Sequence, residues 1–374
     1  MSDAMKDATQ GRVFGRTQLE DLVIVPLFAL VAALFLGALV MAATGVAPGT
    51  IAQSYAALLK GSVGSIDAVS ETLTAALPLV LAGLGLALGF RAGLFNIGAE
   101  GQIVMGGLAA VVAGVALADF PAFIALPGAL LAGAVTGAFY AGIAGWLRAA
   151  TGAHEVISTI MLNLISFRLL DYLLRTPLIQ KEGRADPISK SVPDVAELPK
   201  LLTFLDANLR LHAGLFLTLV MVAAAYWLLF RSKLGFEFRA SGENAIAARF
   251  AGMNAGLTIV MAMAVAGALA GLAGANQTLG VLGRATPGFS AEIGFDAIAV
   301  ALLGRSHPVG VLFAGILFGA LEAGGRQMQV DAGVSIDLIG IIQSLIIVFI
   351  AAPLLVKAIF PWGFRKAGTG KGRS

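Results

Sequence analysis

Four stretches of this sequence carry the residues that could do chemistry. In FRAGLFNIGAEGQIVMGG, residues 90–107, Asn96, Glu100 and Gln102 stand among glycines in the most apolar third of the chain. In HEVISTIMLNLISFRLLDYLL, Glu155, Thr159 and Asn163 recur every four residues and so share one helix face. On the same helix Arg168 and Asp171, three apart, can pair. In QTLGVLGRATPGFSAEIGFDAIAVALLGRSHPVG, Gln277, Arg284, Glu292 and Asp296 cluster around Gly283, Pro287, Gly288 and Gly294. The fourth stretch, RSKLGFEFRASGENAIAARFAGMN at 231–254, is polar enough to sit in water.

The chemistry within reach of these sets is hydrogen bonding and charge recognition rather than bond making. No nucleophile elbow, HExxH or catalytic carboxylate pair occurs, and no G-x-x-x-x-G-K-[ST]; the tail GTGKGRS lacks that spacing. There are no cysteines, and the three histidines, His154, His212 and His307, stand singly without metal-ligand spacing. Neither a cofactor nor a metal is expected.

Each stretch supports two readings. Asn96, Glu100 and Gln102 either border a translocation path or belong to a loop that dips into the bundle. A carboxylate buried in the membrane costs ~3 kcal/mol, so Glu100 requires a partner or water. Thr159 and Asn163 either face the path or glue helices together, and Arg168 with Asp171 reads as glue. Asp296 either serves the path with Gln277 or places a charge favourably at a helix start. In the fourth stretch Ser241 or Gly242 is expected to cap a short helix over ENAIAARFAG that Gly252 ends. Glu243 and Arg249 then complement its dipole. Such punctuation suits a docking element, although a plain connector fits too.

The elements that position these residues follow from composition. Of 374 residues, 58% are hydrophobic and 13% charged, and the mean hydropathy is +0.89. A soluble domain is about 25% charged, so much of this surface must face lipid. The fold expected is all-α, a polytopic membrane bundle of about ten helices, some interrupted or re-entrant. A span needs about 20 apolar residues, which gives spans at 23–45, 70–90, 102–118, 122–147, 156–175, 210–231, 257–281, 294–305, 308–324 and 338–357. The pair 294–305 and 308–324 reads as two short helices or one bent element, and 49–60 as an interfacial helix. Gly85, Gly89 and Gly93, four apart, are expected to form a small-residue ridge for close helix packing.

Charge sets the orientation. Arg12, Arg16, Arg91, Arg148, Arg231, Lys233, Arg239, Arg249, Arg305 and the tail Lys357, Arg365, Lys366, Lys371 and Arg373 all fall on one side, which the positive-inside rule makes the cytoplasm. The net charge of +3 has that cause and does not imply nucleic acid. The chain thus divides into a cytoplasmic tail at 1–22, a membrane domain at 23–358 and a basic cytoplasmic tail at 359–374. The membrane domain includes a charge-balanced outer loop at 177–209 and a cytoplasmic loop at 232–256.

Four blocks then carry a resemblance: GLFNIGAEGQIVMGG, EVISTIMLN, RASGENAIAARFAGM and GFDAIAVALLGRSHPVGVLFAGILFGALEAG. In this order they resemble the permease subunits of bacterial ABC importers, in the branched-chain amino-acid and simple-sugar group, nearest its nucleoside and simple-sugar permeases. The likeness runs from about 70 to 355 and weakens in the N-terminal tail and the 177–209 loop. It implies a multi-pass protein of the bacterial cytoplasmic membrane that pairs with a second permease, as homo- or heterodimer. It also implies a separate ATP-binding subunit that hydrolyses the ATP and an extracytoplasmic substrate-binding protein. The coupling segment would comprise Glu237, Arg239, Ser241, Gly242, Glu243, Asn244, Ile246, Ala248, Arg249, Phe250 and Gly252, with 94–102 and 288–297 bordering the substrate route. The rival readings are a branched-chain amino-acid permease and an ion-coupled carrier using Glu100 or Asp296.

Overall fold

The computed structural model describes residues 25–351 except Ala207 and Ile336. The tails at 1–22 and 359–374, with their basic residues, lie outside the described residues. The chain divides into two units, one of residues 57–327 and a smaller one of 1–56 with 328–374.

In chain order the α-helices are α1 (Val25–Ala43), α2 (Pro48–Val63), α3 (Ile66–Arg91), α4 (Ala99–Ala116), α5 (Ala122–Thr151), α6 (Glu155–Leu173) and α7 (Gly214–Arg231). There follow α8 (Lys233–Glu243), α9 (Ala245–Phe250), α10 (Ala255–Gln277), α11 (Ile293–Leu303), α12 (Pro308–Ala332) and α13 (Asp337–Ala351). A π-helical turn, Thr278–Leu282, extends α10. Among the described residues seven helices are long and apolar enough to cross a membrane: α3 to α7, α10 with its π turn, and α12. The helices at 25–43, 293–303 and 337–351 form where spans are expected; residues 23–24 and 352–357 of the first and last expected spans lie outside the described residues.

In the smaller unit α1 packs on α13. The Tyr55 hydroxyl donates to the Leu34 carbonyl at 2.5 Å, and Gln53 Nε2 donates to the Asp331 carbonyl at 3.1 Å.

The larger unit is built on close backbone approach. Lipid supplies no hydrophobic drive between helices, so small residues that admit close van der Waals contact hold them. Gly133 and Gly137 on α5 face Gly267 and Gly271 on α10; a Cβ on Gly271 would strike the Gly133 carbonyl, and one on Gly137 that of Gly267. Gly106 on α4 meets Gly271 from another side, and Gly85 on α3 would place a Cβ 2.5 Å from the Ala266 carbonyl oxygen. The expected Gly85–Gly89–Gly93 ridge is therefore only partly right. Helix α3 ends at Arg91, and Gly93 turns the chain with φ +71°.

The 294–324 region also differs from the sequence reading. Helix α12 runs on to Ala332, a full-length helix rather than a short one. Helix α11 has 11 residues, which at ~1.5 Å per residue falls well short of the ~30 Å hydrocarbon core. Its limits are set by left-handed backbone: Gly288, Ala291 and Glu292 before it, Arg305 and Ser306 after it. The described residues of 177–213 form a folded loop with Val192, Ala196, Leu198, Leu209 and Leu211 buried. The loop is stitched to the end of α10 by Leu198 N–H to Leu279 O at 3.0 Å and Val192 N–H to Gly283 O at 2.8 Å.

Candidate functional site

Between α3 and α4 the chain makes a non-helical passage at 92–98, and the polar face of α6 holds it. Asn163 accepts from Gly101 N–H at 2.9 Å and donates to the Ile97 carbonyl at 2.9 Å. Thr159 accepts from Ile97 N–H at 3.3 Å while donating to the Glu155 carbonyl at 2.8 Å. Glu155 accepts from Phe95 N–H at 3.4 Å and is ion-paired with Arg148 of α5. The four-residue spacing thus presents one acceptor per turn to the 92–98 passage and the first turn of α4. Exposed peptide groups at membrane depth are tolerated only when something satisfies them, and this face does so. Arg168 and Asp171, further along α6, form no salt bridge with each other among the described residues.

Within the passage, Asn96 and Gln102 exchange two amide hydrogen bonds, Nδ2 to Oε1 at 3.0 Å and Nε2 to Oδ1 at 3.1 Å. Asn96 Oδ1 also accepts from Gly98 N–H at 2.9 Å. Both side chains are buried.

Glu100 has the most specific partner. It is buried, and its Oε2 accepts from Gly294 N–H at 2.6 Å, in the first turn of α11. The first amides of a helix lack intrahelical partners and carry its positive dipole end, so a carboxylate from α4 caps α11. At the opposite end, Arg91 of α3 donates from Nε to the Ser306 carbonyl at 3.0 Å and from Nη2 to the Arg305 carbonyl at 3.4 Å. An anion grips the N-terminal end of the half-helix and a cation the turn that follows its C-terminal end. Asp296, in the same first turn, is half-buried.

Gln277 ends α10 half-buried, but its neighbour Asn276 is the fully buried residue, and neither Asn276 Nδ2 nor Oδ1 finds a partner among the described residues. Nearby, His212 accepts from Gly214 N–H through Nδ1 at 3.2 Å, which leaves the proton on Nε2 in the neutral ring; Nε2 too lacks a partner. Burial, helped by Arg210, pushes the His212 imidazole down to about 4. The ring therefore stays neutral in the folded protein above that pH. Stability from this group is lost as pH falls from its unfolded value toward 4, and is constant near neutrality. Sequence spacing singled out neither residue; isolation was the only signal at His212.

The polar segment at 231–254 is two helices rather than one. Ser232 caps α8 by accepting from Gly235 N–H at 3.0 Å. The expected caps Ser241 and Gly242 instead lie in the last turn of α8, and Glu243 ends it. Asn244 caps α9, accepting from Ala247 N–H at 2.9 Å, and Gly252 follows α9 with φ +83°, the left-handed stop expected of it. Phe238 of α8 is fully buried with Ala92, Leu94, Ala144, Ala262 and Met263. Gly242 lies so close to Arg91 and Gly93 that a Cβ there would strike the Arg91 carbonyl. Helix α8 is thereby fastened to the start of the 92–98 passage. Helix α9 is not: Ile246 is 71% exposed and Phe250 90% exposed, with Arg249 also exposed. Ala248 is buried and faces its own chain. Glu237 pairs with Lys233 at 3.7 Å, and Arg239 lies over the Phe230 ring at 5.4 Å.

Known proteins resemble this chain along most of its length. Residues 68–351 match the family described as the permease component of branched-chain amino-acid transport systems. The chain is 38% identical to the guanosine ABC transporter permease protein NupP of Bacillus subtilis, over 90% of this chain and 95% of that protein. It is 38% identical to the glucose ABC transporter permease protein TsgB13 of Haloferax volcanii, over 87% and 86%. It is 34% identical to the nucleoside ABC transporter permease protein NupB of Lactococcus lactis, over 91% and 93%. No solved structure matches it.

Proposed function

The chain belongs to the family of permease components of branched-chain amino-acid transport systems, and we propose that it is the membrane permease subunit of an ATP-binding cassette importer for nucleosides, with simple sugars the next class. The observation that carries this reading is α9: a short capped helix with Ile246 and Phe250 out in solvent, on a base bolted to the transmembrane core by Phe238. Helix-in-groove recognition uses such a face. The partner is a separate ATP-binding subunit, since the chain has no phosphate-binding loop of its own. A second permease completes the pore, and a binding protein delivers the solute from outside.

In this reading no residue does covalent chemistry. Asn96, Glu100, Gln102, Thr159 and Asn163 shape the wall of the route by holding the unwound segments, and Gln277 and Asp296 border it. A push on α9 passes through α8 to Gly93 and Arg91, hence to both the 92–98 passage and the far end of α11. Nucleosides are supported over amino acids by the guanosine and nucleoside permeases among the relatives; the family description favours a branched-chain amino acid as the second reading. Uptake of labelled guanosine by cells producing the complete complex decides between them. Unlabelled nucleosides should compete and leucine should not. Competition by leucine alone would reassign the substrate.

The side of the membrane is checked by labelling, because the chain has no native cysteine. Single cysteines at Ser191 and Ala245 suit this, both positions being exposed. Ser191→Cys should react with an impermeant thiol reagent in intact cells, and Ala245→Cys only after permeabilisation. The reverse pattern would invert the topology.

A further inference from the structure

Between the end of α3 and the face of α8 lies a cavity of about 460 Å³ lined by Phe90, Arg91, Phe236, Arg239, Gly242 and Glu243. Its two cations are held in place. Arg91 is fixed by Nε and Nη2 on the carbonyls that follow α11, which leaves Nη1 uncommitted. Arg239 stacks over Phe230, and its buried Nε has no partner among the described residues. Glu243 alone opposes them on the lining, since the other acid of α8, Glu237, is taken by Lys233. Exposed Arg231 and Arg305 add to the positive field. Guanidinium groups with free donors in a recess select a carboxylate or phosphate. Phe236, 55% exposed at the rim, suits an apolar neighbour of that anion.

We propose that this cavity receives an acidic side chain of the ATP-binding partner, beside the groove that takes α9. The proposal rests on the coupling role given to α8 and α9 above. Two observations favour a partner protein over a free anion. The rim residues Phe236, Gly242 and Glu243 are exposed on the same short segment that presents Ile246 and Phe250. A partner covering α9 would therefore cover the cavity mouth. The cavity also abuts Arg91, so an acid seated there would report the partner's position to the end of α11 directly.

The test uses the permease co-purified with its ATP-binding subunit. Arg239→Glu should weaken assembly by about tenfold or more, most at low salt, with Arg239→Gln intermediate. One acid-to-lysine change in the ATP-binding subunit should restore assembly with Arg239→Glu and impair it with the unmodified permease. Where Arg239→Glu lowers the yield of folded permease, Ala240→Cys in the natural background provides the second reading. It should form a disulfide with a cysteine replacing that same acid. Unchanged affinity of Arg239→Glu, or no acidic position that rescues or cross-links, would overturn the proposal. Saturable binding of phosphate or AMP to the isolated permease, lost in Arg239→Glu while assembly is unaffected, would overturn it in favour of a small-anion site. If Ala247→Arg detaches the ATP-binding subunit and Arg239→Glu does not, only this proposal fails. If neither does, the coupling role itself fails.

Discussion

Replacing Ala247 with arginine should release the ATP-binding subunit and abolish ATP hydrolysis stimulated by the loaded binding protein, while the permease stays folded. Ala247 is exposed on α9 between Ile246 and Phe250. A partner groove that buries this face would have to take in an unpaired charge, which costs several kcal/mol or more. Truncating the anchors one at a time is milder. Burying a Phe side chain is worth ~1.5–3 kcal/mol, so Phe250→Ala should weaken assembly by roughly 10- to 100-fold. Ile246→Ala combined with it should approach the effect of Ala247→Arg. Ala248 is the wrong place for such a probe, since it is buried against its own chain and an arginine there would unseat α9 itself. Equal co-purification and coupling in Ala247→Arg would remove α9 from the interface.

The second large effect concerns the clamp on α11. Glu100→Ala should reduce uptake strongly while expression and assembly with the ATP-binding subunit persist. Its carboxylate is the buried acceptor for Gly294 N–H at 2.6 Å. A hydrogen bond to a charged group contributes ~1.5–3 kcal/mol, and an orphaned buried donor adds a similar cost. Losing it frees the start of a half-helix whose backbone already carries Ala291 and Glu292 at positive φ, a costly conformation held only by its surroundings. Glu100→Gln keeps an acceptor oxygen and should retain much more transport than Glu100→Ala. Equal, normal uptake in both variants would reduce this contact to packing.

Much of this was legible in sequence. Spans announce themselves because about 20 apolar residues must cross the bilayer, and their order and approximate limits follow from that rule. The polar face of α6 was legible too, because Glu155, Thr159 and Asn163 stand at helical spacing. What they hold was not legible, since the peptide groups of 95–101 lie some 60 residues away in the chain. The Glu100–Gly294 contact spans 194 positions, and no local pattern encodes it. Glycine misled where its two uses compete. Gly85 and Gly93 look alike at four-residue spacing, yet one packs inside α3 and the other turns the chain after it. The cap of α9 was misplaced because Ser241, Gly242 and Asn244 are all competent caps. Only the packing of Phe238 and Gly242, which extends α8 to Glu243, leaves Asn244 in that role.

The central claim is that this permease moves its solute with energy from a separate ATP-binding subunit. Proteoliposomes containing the purified permeases and ATP-binding subunits, supplied with the binding protein and labelled guanosine, test it most directly. Uptake should require ATP on the side of α9, vanish when the ATP-binding subunit is omitted, and be indifferent to ionophores that collapse ion gradients. Uptake that proceeds without ATP and disappears with the ionophore would make the protein an ion-coupled carrier and contradict the account.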